Sequence, residues 1–154
     1  MKKIAIMLCI ATGLAACGVG DKNKGADPYD AQNNSGNGSY DPEKGEGKFT
    51  NVTVSATLDT AKASQGEKLF AAKCYTCHKL TAEKLVGPGW QDVTKRKSAA
   101  WIMNFAGNPE AMLDKDPEAK AQLANSLIRM PNQNLSDDDV RNVYEFMRKN
   151  DGLK

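Results

Sequence analysis

The chain has 154 residues, of which 40% are apolar and 26% charged, with a formal net charge of +2. That length suits one modest domain plus some additional chain. So small a net charge excludes the basic footprint of a nucleic-acid binder. The charge is unevenly spread, however. Residues 62–97 hold eight basic and three acidic side chains, and residues 98–154 hold seven basic and nine acidic. This imbalance predicts one edge that steers acidic partners, or more plainly a solvated lysine-rich surface.

The N-terminus reads as an export signal. Lys2 and Lys3 precede an apolar run over residues 4–11 that is too short to span a bilayer. Leu14-Ala15-Ala16-Cys17 follows and resembles the lipobox of bacterial lipoproteins, in which cleavage before the cysteine leaves that residue acylated. The rival reading is an ordinary signal peptide cut after Ala16. Both place the domain outside the cytoplasm, on the periplasmic side. An acylated Cys17 would anchor it stably to the inner or outer membrane. The expected organisation is therefore a signal peptide over 1–16, a lipid-anchored cysteine with a flexible linker over 17–60, and a folded domain over 61–154. The linker assignment rests on seven glycines and many polar residues between 18 and 48, too few apolar groups to build a core. The segment Asn51-Val52-Thr53-Val54 alternates weakly and is compatible with a short strand.

The domain itself carries helix signals. Ser64-Gln65-Gly66-Glu67 has the form of a capping box at the start of the first helix, which leads into Cys74. A second helix is expected from about Ser98 to Ala106. Others begin at Asn108-Pro109 and at Asp116-Pro117, the latter reaching about Arg129. The last helix is capped by Ser136, with Asp137, Asp138 and Asp139 in its first turn and Val140, Val143, Tyr144 and Met147 as an apolar stripe. Leu135 and Val140 hold the positions of a hydrophobic staple. Nothing alternates convincingly within this region, so an all-α fold of about five helices is expected.

The chemistry lies in Cys74-Tyr75-Thr76-Cys77-His78. Cys-x-x-Cys-His is the attachment signal of c-type haem, in which two thiols three positions apart reach the vinyl groups and the adjacent histidine supplies the proximal nitrogen. Two other readings stay open on the residues alone. A thiol redox pair normally ends a strand in a βαβ setting, and a zinc site lacks a nearby fourth ligand. His78 is the sole histidine in the chain, so a bis-histidine haem cannot form within one molecule. The sixth position then falls to Met, Lys, a terminal amine or no ligand. Met130 stands out because Pro131 biases it to an extended backbone at the start of a polar loop. Met103 and Met112 are the reserves.

With these residues, the domain resembles the class I c-type cytochromes, small monohaem His/Met-ligated electron carriers, over about Ala61 to Lys149. In the resemblance, Gly87-Pro88-Gly89 corresponds to the loop in which a proline carbonyl, here that of Pro88, accepts a hydrogen bond from the proximal imidazole. Gly66 and Phe70 correspond to first-helix positions that pack on an aromatic of the last helix, here Tyr144. Met130 corresponds to the distal ligand. The run through Asn108-Pro109 and Asp116-Pro117 is similar, more weakly, to cytochrome domains associated with nitrous oxide reductase. The resemblance implies one haem c per chain and a monomeric electron carrier rather than an enzyme. Its partners would be redox proteins of a respiratory chain such as nitrous oxide reductase or a terminal oxidase. Lys73, Lys79, Lys84, Lys95, Arg96 and Lys97 are the candidates for docking acidic partners. Trp90 and Trp101 are candidates for haem propionates, or for core packing. The alternative is a haem protein with a labile Met ligand, acting as a sensor or peroxidase.

Overall fold

The computed structural model describes residues 40–126 and 128–154. The signal peptide, Cys17 and the first part of the linker lie outside the described residues. Among those described there is no strand, and six α-helices follow one another: α1 Thr60–Leu69, α2 Val93–Arg96, α3 Ala99–Gly107, α4 Pro109–Lys115, α5 Pro117–Ala124 and α6 Asp137–Asn150.

Most helix starts follow from local chemistry. The Ser98 hydroxyl accepts from the Trp101 amide at 3.0 Å, Asn108 Oδ1 accepts from Ala111 at 3.2 Å, and Asp116 Oδ1 accepts from Ala119 at 2.7 Å. Each satisfies an N–H that the helix itself cannot. Ser136 and Asp139 form a reciprocal capping box at α6, both backbone-to-side-chain bonds being 3.1 Å. The first helix differs from expectation. It starts one turn earlier, at Thr60, where the Asp59 carboxylate accepts from the Lys62 amide at 3.0 Å. Ser64 is an exposed residue inside the helix. An aspartate cap closer to the preceding extended chain prevails over the Ser64 pattern. Helix α5 also stops at Ala124, short of Arg129.

Helix α2 has no cap of its own. The carboxylate of Asp151, at the end of α6, accepts from the amides of Asp92 and Thr94 at 2.7 and 2.8 Å and from the Thr94 hydroxyl at 2.7 Å. A residue nearly sixty positions away thus starts this helix.

The main packing seam is α1 against α6. Gly66 makes it possible, as a Cβ there would lie 2.0 Å from the backbone oxygen of Asn142. Phe70 meets Phe146 across the seam with ring centroids 5.6 Å apart. The aromatic partner on the last helix is therefore Phe146. Tyr144, two residues earlier, points round the helix towards Arg148, whose guanidinium lies 6.0 Å from its ring centre.

Residues 40–59 are not free chain. Part of the stretch expected as a flexible linker, 17–60, is instead a strap on the helical domain. The buried side chain of Asn104 behaves towards it like a neighbouring strand. Its Oδ1 accepts from the Phe49 amide at 2.9 Å, and its Nδ2 donates to the carbonyls of Phe49 and Lys44 at 3.0 and 2.9 Å. The Glu46 amide donates to Met112 Sδ at 3.0 Å. Arg141 and Arg148 donate to the carbonyls of Thr53 and Ser55, and Phe49 and Val52 pack on the core. No β-structure forms at residues 51–54. Few apolar groups suffice because the strap is held through its backbone. Asn104→Ala should therefore free residues 44–49 for limited proteolysis. It should cost about 2–3 kcal/mol, since it leaves buried peptide groups without partners. An unchanged cleavage pattern would contradict the clamp.

Candidate functional site

A π-helical turn over Phe70–Cys74 ends α1, closed by the Tyr75 amide donating to the Phe70 carbonyl at 3.0 Å. The extra residue in this turn rotates Cys74 into the interior. The amides of Cys77 and His78 then both donate to the Cys74 carbonyl, at 3.0 and 2.9 Å. This tight fold brings Cys74, Cys77 and His78 onto one wall of a single cavity. Cys74 is buried, and both thiols are free rather than joined as a disulfide.

His78 is held from two sides. Its Nδ1–H donates to the Pro88 carbonyl at 2.8 Å, which leaves Nε2 as the unprotonated nitrogen. Burial lowers the imidazole pKa below its ordinary value, the Pro88 bond opposing this, so the neutral form prevails. Gly87 lies flat against the ring: a Cβ there would come within 2.4 Å of Cε1 and 2.9 Å of Nε2. The Gly87 amide is tied to the Cys77 carbonyl at 2.8 Å. The arrangement expected of Gly87-Pro88 is thus present in full.

The cavity is an open, apolar cleft. The rest of its wall comes from helices α2 to α6, the loop before α2 and the α5–α6 loop, including Trp101, Leu113, Met130, Val143 and Met147. Met130 is half-buried and Ile128 is exposed at the wall. Met103 and Met112 do not line the cavity. Both are fully buried, and Met112 faces the strap. Of the described methionines, Met130 and Met147 line it. Trp101 is committed elsewhere, its indole N–H donating to Asp116 Oδ2 at 3.0 Å. Trp90 packs between Phe70 and His78, at centroid distances of 4.8 and 5.6 Å.

These features suit a flat, largely apolar macrocycle bearing a metal. The wall is hydrophobic, two thiols lie at its edge, and a neutral imidazole presents a free nitrogen. They suit the rival readings less well. Burial pushes the Cys74 thiol up to about 11, whereas a thiol switch or a zinc ligand needs a thiolate. Among the described residues no three His, Cys, Asp or Glu side chains converge on a metal position.

The basic residues fall into two groups. Lys79, Lys95 and Lys97 are each paired with a carboxylate, from Glu83, Asp92 and Glu118 respectively. Lys97 also lies over the Trp101 ring, 4.7 Å from its centre. These three therefore offer less free charge than the sequence suggested. Lys73, Lys84 and Arg96 donate instead to the backbone carbonyls of Gln133, Asn125 and Gln91 and form no ion pair among the described residues. Sequence alone could not place Lys97 in the paired group, because Glu118 lies on α5, whereas Lys79 and Lys95 pair with acids four and three residues away.

Comparison with known proteins agrees with this geometry. The family model described as Cytochrome c matches residues 63–151. The chain is 29% identical over 102 residues to photosystem II extrinsic protein V of Microcystis aeruginosa, an alignment spanning 60% of this chain and 76% of that protein. Among solved structures it is similar to cytochrome c from Rhodothermus marinus, with 34% identity and a TM-score of 0.66 over 68% of this chain and 90% of that one. An engineered form of the Rhodothermus marinus cytochrome gives 33% identity and a TM-score of 0.68, over 72% and 98% of the two chains. An apolar cleft, a Cys-x-x-Cys-His wall and a family match over more than half the chain lead to one assignment: this chain belongs to the cytochrome c family and binds haem c covalently.

Proposed function

We propose that this protein is a one-electron carrier of a respiratory chain, monomeric and tethered to a bacterial membrane on the periplasmic side through an acylated Cys17. The observation that carries the electron-transfer reading is the single cavity walled by Cys74, Cys77, His78 and Met130. The haem supplies the ferric–ferrous couple. Cys74 and Cys77 would hold it by thioether bonds, His78, oriented by Pro88, would bind it through nitrogen, and Met130 would bind it through sulfur. With His78 and Met130 both committed to the haem, it would exchange electrons at its edge rather than bind a substrate. The tether would keep this traffic among neighbours at one membrane surface. Nitrous oxide reductase and a terminal oxidase are the acceptors this reading names.

A haem stain after denaturing electrophoresis of the exported protein, with optical spectra in both redox states, tests the assignment. Covalent haem with sulfur ligation supports it. Haem without a sulfur ligand favours the sensor or peroxidase alternative. Radiolabelled fatty acid incorporated by the parent and lost in Cys17→Ser tests the anchor.

Docking should depend on the cations that form no ion pair among the described residues. Reversing Lys84 and Arg96 to Glu should slow electron delivery to an acidic partner about tenfold at low ionic strength and flatten its salt dependence. Reversing Lys79 and Lys95, each already beside an acid, should do less. Equal effects from both pairs would contradict the distinction.

A further inference from the structure

We propose that Asp116 tunes the reduction potential of the haem from behind Trp101, and that Tyr40 on the strap sets how strongly it does so. Asp116 is 2% exposed. Its Oδ1 accepts from the Ala119 amide at 2.7 Å. Its Oδ2 accepts from the Trp101 indole N–H at 3.0 Å and from the Tyr40 hydroxyl. Both oxygens thus act as acceptors, Oδ1 from one donor and Oδ2 from two. No cation among the described residues forms an ion pair with it. Lys97, on the Trp101 ring, is taken by Glu118, and the other charges bearing on Tyr40 are the acids Glu46 and Asp41. Trp101 itself walls the cavity, as does Leu113 one turn before Asp116. A buried negative charge therefore stands one indole away from the haem.

In a low-dielectric interior such a charge acts over several ångströms. Ferric haem carries one more positive charge than ferrous haem, so the carboxylate favours the oxidised form and lowers the potential. The hydroxyl of Tyr40 spreads part of that charge, and burial and Asp116 together hold Tyr40 protonated. Asp116 is thus a positioning and tuning residue for the haem wall in addition to capping α5. Strap and cavity wall are linked by two hydrogen bonds on one oxygen.

The inference rests on haem filling this cavity, which a haem stain of each variant reports separately. Potentiometric titration of the holoproteins Asp116→Asn and Tyr40→Phe tests it. Asp116→Asn keeps an oxygen for the Ala119 amide but removes the charge. Its midpoint should rise, with a reduction constant several-fold and at most about tenfold larger, tenfold being 59 mV for one electron. Tyr40→Phe removes one donor and leaves the charge. Its midpoint should move the other way, by about two-fold in the same constant. A folded, haem-replete Asp116→Asn at the parent potential would reduce Asp116 to a helix cap. If Asp116→Asn does not accumulate, Tyr40→Phe decides: a potential equal to or above the parent's overturns the proposal.

Discussion

Gly66→Ala is expected to lower the melting midpoint of the holoprotein by roughly 10 °C or more, as about 3 kcal/mol is lost from a domain of this size. In an exposed helix the same change would stabilise by about 1 kcal/mol, because alanine is the better helix former. Here the clash wins. The new Cβ would lie 2.0 Å from the Asn142 carbonyl oxygen and 2.7 Å from Phe146 Cβ. The first neighbour is backbone in the middle of α6 and cannot swing aside. The two helices must separate, which would loosen Phe70 against Phe146 and open the seam beside the fully buried Ala63. Ser64→Ala, exposed on the same helix, should stay within about 0.5 kcal/mol of the parent. Thermal unfolding followed by haem absorbance compares the two, and equal midpoints would show that α1 and α6 do not meet through Gly66.

Met130→Ala is expected to leave the fold nearly intact and transform the haem. Among the described residues, positions 128–135 make no backbone–backbone hydrogen bond. Side chains hold the loop: Lys73 donates to the Gln133 carbonyl at 3.0 Å, Arg129 pairs with Asp114 at 2.7 Å, and the Asn134 amide donates to Asn132 Oδ1 at 2.9 Å. None of these involves Met130, which is only half-buried, so truncating it costs little stability. On the proposed ligation the iron would lose its thioether, so the electronic effect is large. The sulfur–iron absorption band should vanish. The midpoint should fall by on the order of 0.1 V or more, within the roughly 0.8 V that axial ligation commands. Added imidazole should then bind. A variant with the parent spectrum and potential would move the distal ligand elsewhere, and Met147, which lines the same cavity, is the next to test.

Gly66 and Met130 show how differently features of this protein can be read. Met130 was singled out by Pro131 and by the lack of a second histidine, which act through local backbone preference and composition, and it lines the cavity. Gly66 was legible only through resemblance, and then with Tyr144 in place of Phe146 as the aromatic across the seam. Which residue of α6 faces α1 depends on the rotation of one helix against the other, and no local signal sets that.

By itself the sequence determined the haem wall and most of the helix starts. Cys74, Cys77 and His78 lie within five residues, so one tight turn gathers them whatever the rest of the chain does. Ser98, Asn108, Asp116 and Ser136 cap helices through bonds that reach only three residues. Tertiary structure alone decided where the linker ends, what starts α2, and that Lys97 is paired. Residues 40–59 look like free chain because they lack apolar groups, yet Asn104 holds Phe49 from 55 residues away. Asp151 caps α2 from 57 to 59 positions beyond it, and Glu118 pairs with Lys97 across two helices. In each case the bond joins groups that only the packed helices bring within 3 Å, so neither residue's immediate neighbours announce it.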